Sequence, residues 1–304
     1  MTEEKESLRK MIFPVFLMGC FFVVIDGFGL LMKNFFQPTF EDAGNPVNIV
    51  YIFVIIIVMT VIILIIARYW KKQVIKVIIL GAIGYTAFFI FWPLIFSVLS
   101  NDLASFILAV VFAVVLVIAL YKYPEWYVID VCGVIVGAGA IAIFGISLSV
   151  LLVIILLVVL AVYDAISVYK TKHMIDLADT VMDLKLPVLL VVPKIWKYSL
   201  IKETKSLKEK LKDNEERDAF FMGLGDIVMP GMLVVAVYQN IPNGLPVALS
   251  VLAGTLVGFL VLMTFVIKGK PQAGLPLLCG GAILGYLISS YVFFGSLVGL
   301  GISF

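Results

Sequence analysis

The chain has 304 residues, of which 63% are hydrophobic and 14% charged, and its mean hydropathy is +1.16. Soluble domains sit near 45–50% apolar with about a quarter charged residues. An aqueous core is therefore excluded and lipid is the indicated solvent. The net charge of +2 says little about partners, and no basic, aromatic-interleaved patch points to nucleic acid.

A bilayer core about 30 Å thick takes roughly 20 apolar residues in a helix. Nine such spans are predicted, in order Met11–Met32, Asn48–Ala67, Val77–Leu99, Leu103–Tyr121, Trp126–Ile146, Leu148–Tyr169, Ala219–Gln239, Pro246–Ile267 and Gln272–Ile302. Pro93 lies near the far end of the third, and Pro276 breaks the ninth early. The chain divides into helices one to six (1–170), a polar loop (171–218) and helices seven to nine (219–304). Within that loop, the stretch from Met174 to Leu184 reads as a surface helix. Pro187–Pro193 is a β-branched, extended run, and Lys202–Arg217 is charge-dense and solvated.

With nine spans, all but one of the 22 Lys and Arg residues fall on one side; the exception is Lys33. The excess of Lys and Arg marks the cytoplasmic face. The N-terminus is therefore expected in the cytoplasm and the C-terminus outside, in a multi-pass protein of the cell membrane. No cleaved signal peptide is expected, because the first apolar stretch is long and lacks a small-residue cleavage site. Cys20, Cys132 and Cys279 all sit in apolar stretches, and the single histidine, His173, follows Lys172 at a helix end. Neither a metal nor a cofactor is expected.

Four acids fall inside spans: Asp26, Asp130, Asp164 and Asp226. A carboxylate in hydrocarbon costs several kcal/mol and marks a functional site or a packing hydrogen bond. Depth separates the four. Asp164 lies six residues before Lys170, roughly 9 Å from the cytoplasmic end at 1.5 Å per residue. Asp226 lies eight residues after Asp218, roughly 12 Å in. The two sit on consecutive antiparallel spans at one level. Asp26 is roughly 22 Å deep, too far toward the other side. Asp130, near the start of span five, is compatible in depth and reads as a capping or snorkelling acid. Paired carboxyl groups suit peptide hydrolysis: two like charges held close share one proton, so one member is a base and the other an acid. Gly223 and Gly225 flank Leu224 just before Asp226 and leave room for a substrate backbone. Tyr163 precedes Asp164 as a hydrogen-bond donor or pocket wall.

Tyr163-Asp164 and Gly223-Leu224-Gly225-Asp226 resemble the YD and GxGD motifs of the presenilin and signal peptide peptidase family. That family also has nine spans, a long loop between spans six and seven, and a Pro-Ala-Leu at the start of span nine. Here Ala273-Gly274-Leu275 occupies that place and Pro276 follows, so the motif's proline is an alanine and its alanine a glycine. The resemblance implies an all-α, presenilin-like membrane protease. Asp164 and Asp226 then hydrolyse transmembrane helical substrates, and Tyr163, Gly223, Leu224, Gly225, Ala273, Gly274, Leu275 and Pro276 position them. The cytoplasmic N-terminus is similar to presenilin and opposite to signal peptide peptidase, which favours substrates with an external N-terminus. The short loop argues against obligatory partner subunits and leaves a homo-oligomer open. The run near Val188–Val192 reads as a buried apolar loop segment or, like the backbone near Leu275, as an edge that pairs with an unwound substrate as an added strand. The main alternative is a proton-coupled transporter using the same acids. A prepilin-type peptidase, which also uses GxGD, differs in span order.

Overall fold

The structure is a computed structural model that describes residues 2–69, 72–171, 189–194, 198–200, 219–267 and 272–300. Its elements run α1 (Thr2–Met32), α2 (Val47–Tyr69), α3 (Lys72–Leu99), α4 (Asp102–Lys122), α5 (Trp126–Ser147), α6 (Val150–Ile166), β1 (Leu189–Pro193), β2 (Ala219–Gly223), α7 (Leu224–Asn240), α8 (Leu245–Ile267) and α9 (Gly274–Phe294). Among the described residues, seven helices are long and apolar enough to cross a bilayer: all of these except α2 and α7. The described apolar part of α2 is shorter, Val47–Met59, and α7 has 17 residues. The surface helix expected at Met174–Leu184, the charged run Lys202–Arg217 and His173 lie outside the described residues.

The helices are apolar on the outside as well as within. Phe106, Val111, Phe112 and Val115 of α4 all face outward. A helix that is hydrophobic all round belongs in a membrane or a large core. Polar side chains inside close on their own helix: Ser105 donates to Asn101 O, Ser147 to Ile143 O, Thr255 to Val251 O and Ser289 to Gly285 O. In hydrocarbon a hydroxyl has few other partners, so back-bonding to the preceding turn satisfies it.

The core lies where α1, α5, α6, α7, α8 and α9 meet, and a second cluster joins α3 and α4 to the first half of α5. α5, the most buried of the seven spanning helices, links the two through small residues. A Cβ on Gly137 would sit 3.1 Å from Leu224 Cδ1, and one on Gly133 2.8 Å from Leu190 Cδ2. The tightest crossing is between α8 and α9. A Cβ on Gly254 would run into Gly281 O, one on Gly258 into Leu277 O, and one on Gly285 into Ser250 O. Glycines four apart on both helices let the backbones touch, the small-xxx-small packing that membranes favour.

One end of the bundle is tied by polar contacts between loops and helix ends. Thr39 N–H donates to Ser147 Oγ (2.8 Å), Ser149 N–H to Ala43 O (2.8 Å) and Lys33 Nζ to Gln239 Oε1 (3.0 Å). The site below lies at the other end.

Three expectations change. Ala219–Gly223 is not the start of a helical seventh span but strand β2. It pairs antiparallel with β1 in the register Leu189↔Gly223, Val191↔Phe221, Pro193↔Ala219. The extended run after Pro187 is therefore a strand whose partner is this chain's own residues 219–223. Pro276 does not break a helix: α9 begins at Gly274, so Pro276 sits in the first turn, where its missing N–H has no intrahelical acceptor to lose. The ninth helix also ends at Phe294 rather than Ile302, capped by Gly295 in the left-handed region (φ 70°).

Candidate active site

Asp164 lies near the end of α6, just ahead of a wide turn over Ser167–Thr171. Such i→i+5 turns in a helix frequently occur at functional sites. Its carboxylate faces the start of α9, where the first backbone N–H groups have no intrahelical acceptor. Leu275 N–H donates to Asp164 Oδ2 at 3.1 Å, and Gly274 N–H bonds to the same carboxylate. An anion at a helix N-terminus is favoured both by these free donors and by the helix dipole.

Asp226 lies in the first turn of α7, three residues after its N-cap, Gly223. Its carboxylate reaches back to the Gly223 N–H, the same backward contact that the third-position acid makes in a capping box. A Cβ on Gly223 would come within 3.2 Å of Asp226 Oδ2. Gly225 is exposed, and a Cβ there meets nothing within 4 Å.

Gly274 brings the two acids together. Its N–H bonds to Asp164, while a Cβ on it would lie 3.4 Å from Asp226 Oδ2 and 3.6 Å from Leu262 Cδ2. The carboxylates are in Coulombic reach of each other, and both reach the buried thiol of Cys279, one turn further along α9. Cys279 carried no sequence signal beyond its apolar surroundings. Both acids are partly exposed, so the site is open on one side.

The other predicted residues divide. Ala273 is the buried N-cap of α9, and Leu275 supplies the donor to Asp164. Leu224 packs into the α5 glycines, and Pro276 shapes the α9 start. Tyr163 is 68% exposed and points about 100° away from Asp164 around α6, as helix neighbours do. Asp130 neither caps nor snorkels. It is 3% exposed, and its Oδ1 accepts the Val191 N–H at 2.8 Å. Asp26 is fully buried against Gly231 and Ile141, away from the pair. Among the described residues, no cluster of His, Cys, Asp or Glu could hold a metal ion.

Two carboxyl groups thus converge at one helix junction of an apolar bundle, beside a short strand ribbon. The family described as "Signal-peptide peptidase, presenilin aspartyl protease" matches residues 20–296. Two solved structures are similar over 90% of this chain and 96% of theirs, at 34% identity, with TM-scores of 0.66 and 0.68. Both are described as a presenilin family intramembrane aspartate protease, one in space group C222 and the other in P2. No curated protein matches the sequence. The chain belongs to the presenilin and signal peptide peptidase family of aspartyl proteases. It is a multi-pass membrane protein with a presenilin-like helical fold, an aspartic endopeptidase of the intramembrane class.

Proposed function

We propose that Asp164 and Asp226 are the catalytic pair and that they hydrolyse peptide bonds in transmembrane helices by activating water. The observation that carries this is the convergence of both carboxylates on Gly274. One carboxyl is ionised and takes a proton from water, whose oxygen attacks the scissile carbonyl carbon. The other donates its proton to the carbonyl oxygen. Transfer of a proton to the amide nitrogen then lets the carbon–nitrogen bond break, giving an amine and an acid. The pair titrates as a unit, so neither residue is assigned one role.

A helix hides its carbonyls in internal hydrogen bonds, and the ribbon offers a way to hold an opened one. The Val191 N–H points away from β2, to Asp130. Val191↔Phe221 is therefore a pair that exchanges no ladder bonds, and by alternation so are Leu189↔Gly223 and Pro193↔Ala219. On β2 the backbone groups of Ala219, Phe221 and Gly223 then face outward. The Gly223 N–H is taken by Asp226, which leaves Phe221 as the pairing point, about 7 Å from Gly223 along the strand. An unwound substrate added here as a third strand lies beside the pair.

The enzyme works in the cell membrane with its N-terminus in the cytoplasm and takes substrates whose N-terminus is outside. It acts without obligatory partner subunits. The test is purified protein in bicelles with a single transmembrane peptide, products being read by mass spectrometry. Internal cleavage supports the assignment; an intact peptide together with proton flux in liposomes overturns it. A pair that works with one shared proton also gives a rate with a single maximum against pH, falling when both groups are protonated and again when both are ionised. A rate that only rises with pH argues against the pair.

The glycines separate two roles. Gly223→Ala forces Asp226 aside by a few tenths of an ångström and lowers kcat by about 10- to 100-fold while KM holds, since small misplacements at a reacting centre are costly. Gly225→Ala meets nothing within the protein, so a rise in KM there reports a substrate backbone pressed against it. Steady-state kinetics on both variants distinguish these effects.

A further inference from the structure

We propose that Asp130 is a positioning residue for the substrate strand. By holding the outer edge of β1, it makes β2 the open edge of the ribbon and fixes which peptide bond arrives at the pair. This rests on the reading of the site as a protease.

Asp130 stands on α5, near the start of a spanning helix, and is 3% exposed. Its Oδ1 takes the Val191 N–H at 2.8 Å; its Oδ2 is buried without a partner among the described residues. An added strand needs a row of outward donors and acceptors. On β1 that row has its central donor, Val191, occupied, and its end residue, Pro193, has no N–H. Phe221, opposite on β2, has its backbone groups directed outward by the same alternation; its side chain packs on the cluster of α3, α4 and α5, and the main element contacts of β2 are with β1 and α7.

A second carboxylate on the same helix end holds the chain just past β1. Glu125 Oε1 accepts the Ser199 hydroxyl at 2.6 Å, and its Oε2 accepts the Leu200 N–H at 3.1 Å. Next to the first hold, Leu190 lies on the bare backbone of Gly133. α5 therefore holds β1 at Leu190 and Val191 and the chain past β1 at Ser199 and Leu200, and β1 sets the register of β2. Strand side chains alternate faces, so a ribbon slips in steps of two residues, about 7 Å. Loosening β1 lets the ribbon present the substrate in more than one register. The signature is a changed distribution of cleavage positions rather than a simple loss of rate.

The test compares wild type, Asp130→Asn, Asp130→Ala and Val191→Pro on one transmembrane peptide, with kcat, KM and every product measured. Asp130→Asn keeps an acceptor oxygen for Val191 and is expected to reproduce the wild-type products. Asp130→Ala removes the acceptor, and Val191→Pro removes the donor without touching a ladder bond. Each is expected to raise KM and the minor products about fivefold, the size of one hydrogen bond, with kcat much less affected. The double variant is expected to match either single one. A folded Asp130→Ala with the wild-type product pattern overturns the proposal, as does an Asn variant that behaves like Ala. If Asp130→Ala does not fold, Val191→Pro decides, and an unchanged pattern there is equally fatal. Asp226→Asn serves as the control: cleavage that persists in it means the protease site itself is misassigned, a failure distinct from that of Asp130.

Discussion

Asp226→Asn and Asp164→Asn each lower cleavage of a transmembrane peptide by at least about 1,000-fold, within the range that positioned acid–base groups supply. The double variant is no worse than either single one, because residues that act as a unit lose their function together. The substitutions are conservative for the fold. An asparagine oxygen at 226 still accepts from the Gly223 N–H, and one at 164 still accepts from Leu275. Either variant also lets the remaining carboxyl ionise without an ionisable neighbour, so thermal unfolding in detergent is expected at or above the wild-type temperature. Turnover measured by mass spectrometry, with unfolding on the same preparations, checks both halves. Full cleavage by either single variant ends the catalytic assignment, and inactivity with an unfolded chain ends the claim of conservatism.

Gly258→Val produces the second large loss, from a residue that touches neither acid. The added side chain points at the carbonyl of Leu277, a backbone atom that no rotamer change can move. Overpacking typically costs about 1–3 kcal/mol when side chains can yield. Here α8 and α9 must separate instead, and at least about 3 kcal/mol is expected, the upper end of that range. The separation falls at the first turns of α9, which carry the Gly274 and Leu275 donors to Asp164. A shift of about 1 Å there is enough for a hundredfold loss of turnover. Gly280→Ala is the matched control, since a Cβ at that position meets nothing within 4 Å. Unfolding temperature and turnover of the two variants decide the matter. A Gly258→Val variant with wild-type values of both means that the crossing is looser than described.

The spanning helices were legible because hydropathy is local: about twenty apolar residues in a row declare a crossing wherever they end up. The level expected for Asp226 assumed a helical rise from Asp218, whereas Ala219–Gly223 form a strand; the two acids meet instead because both face the start of α9. β2 itself was not legible. Ala219-Phe-Phe-Met-Gly223 is a short apolar run that reads equally as helix or strand, and its partner lies 26 or more residues away beyond a polar loop. The role of Pro276 was misjudged because a proline in an apolar run reads as an interruption, whereas the helix begins just before it. Tyr163 followed from adjacency in sequence, which on a helix places two side chains on different faces. Asp130 looked interfacial by position alone. Only the chain's return over α5 gives it a backbone amide to hold.

The five residues that β2 takes from the beginning of α7 have one more effect. They leave α7 with 17 residues and put Asp226 in its opening turn. Hydrolysis makes two new charged ends, an ammonium and a carboxylate, and such ends are expensive to hold in hydrocarbon. With Asp164 near the last turn of α6 and Asp226 in the first turn of α7, a cut at the pair falls toward one end of the bundle, so one fragment reaches water with a short displacement while the other keeps most of its apolar length. The shortened helix thus bears on the departure of products as well as on the attack on substrate.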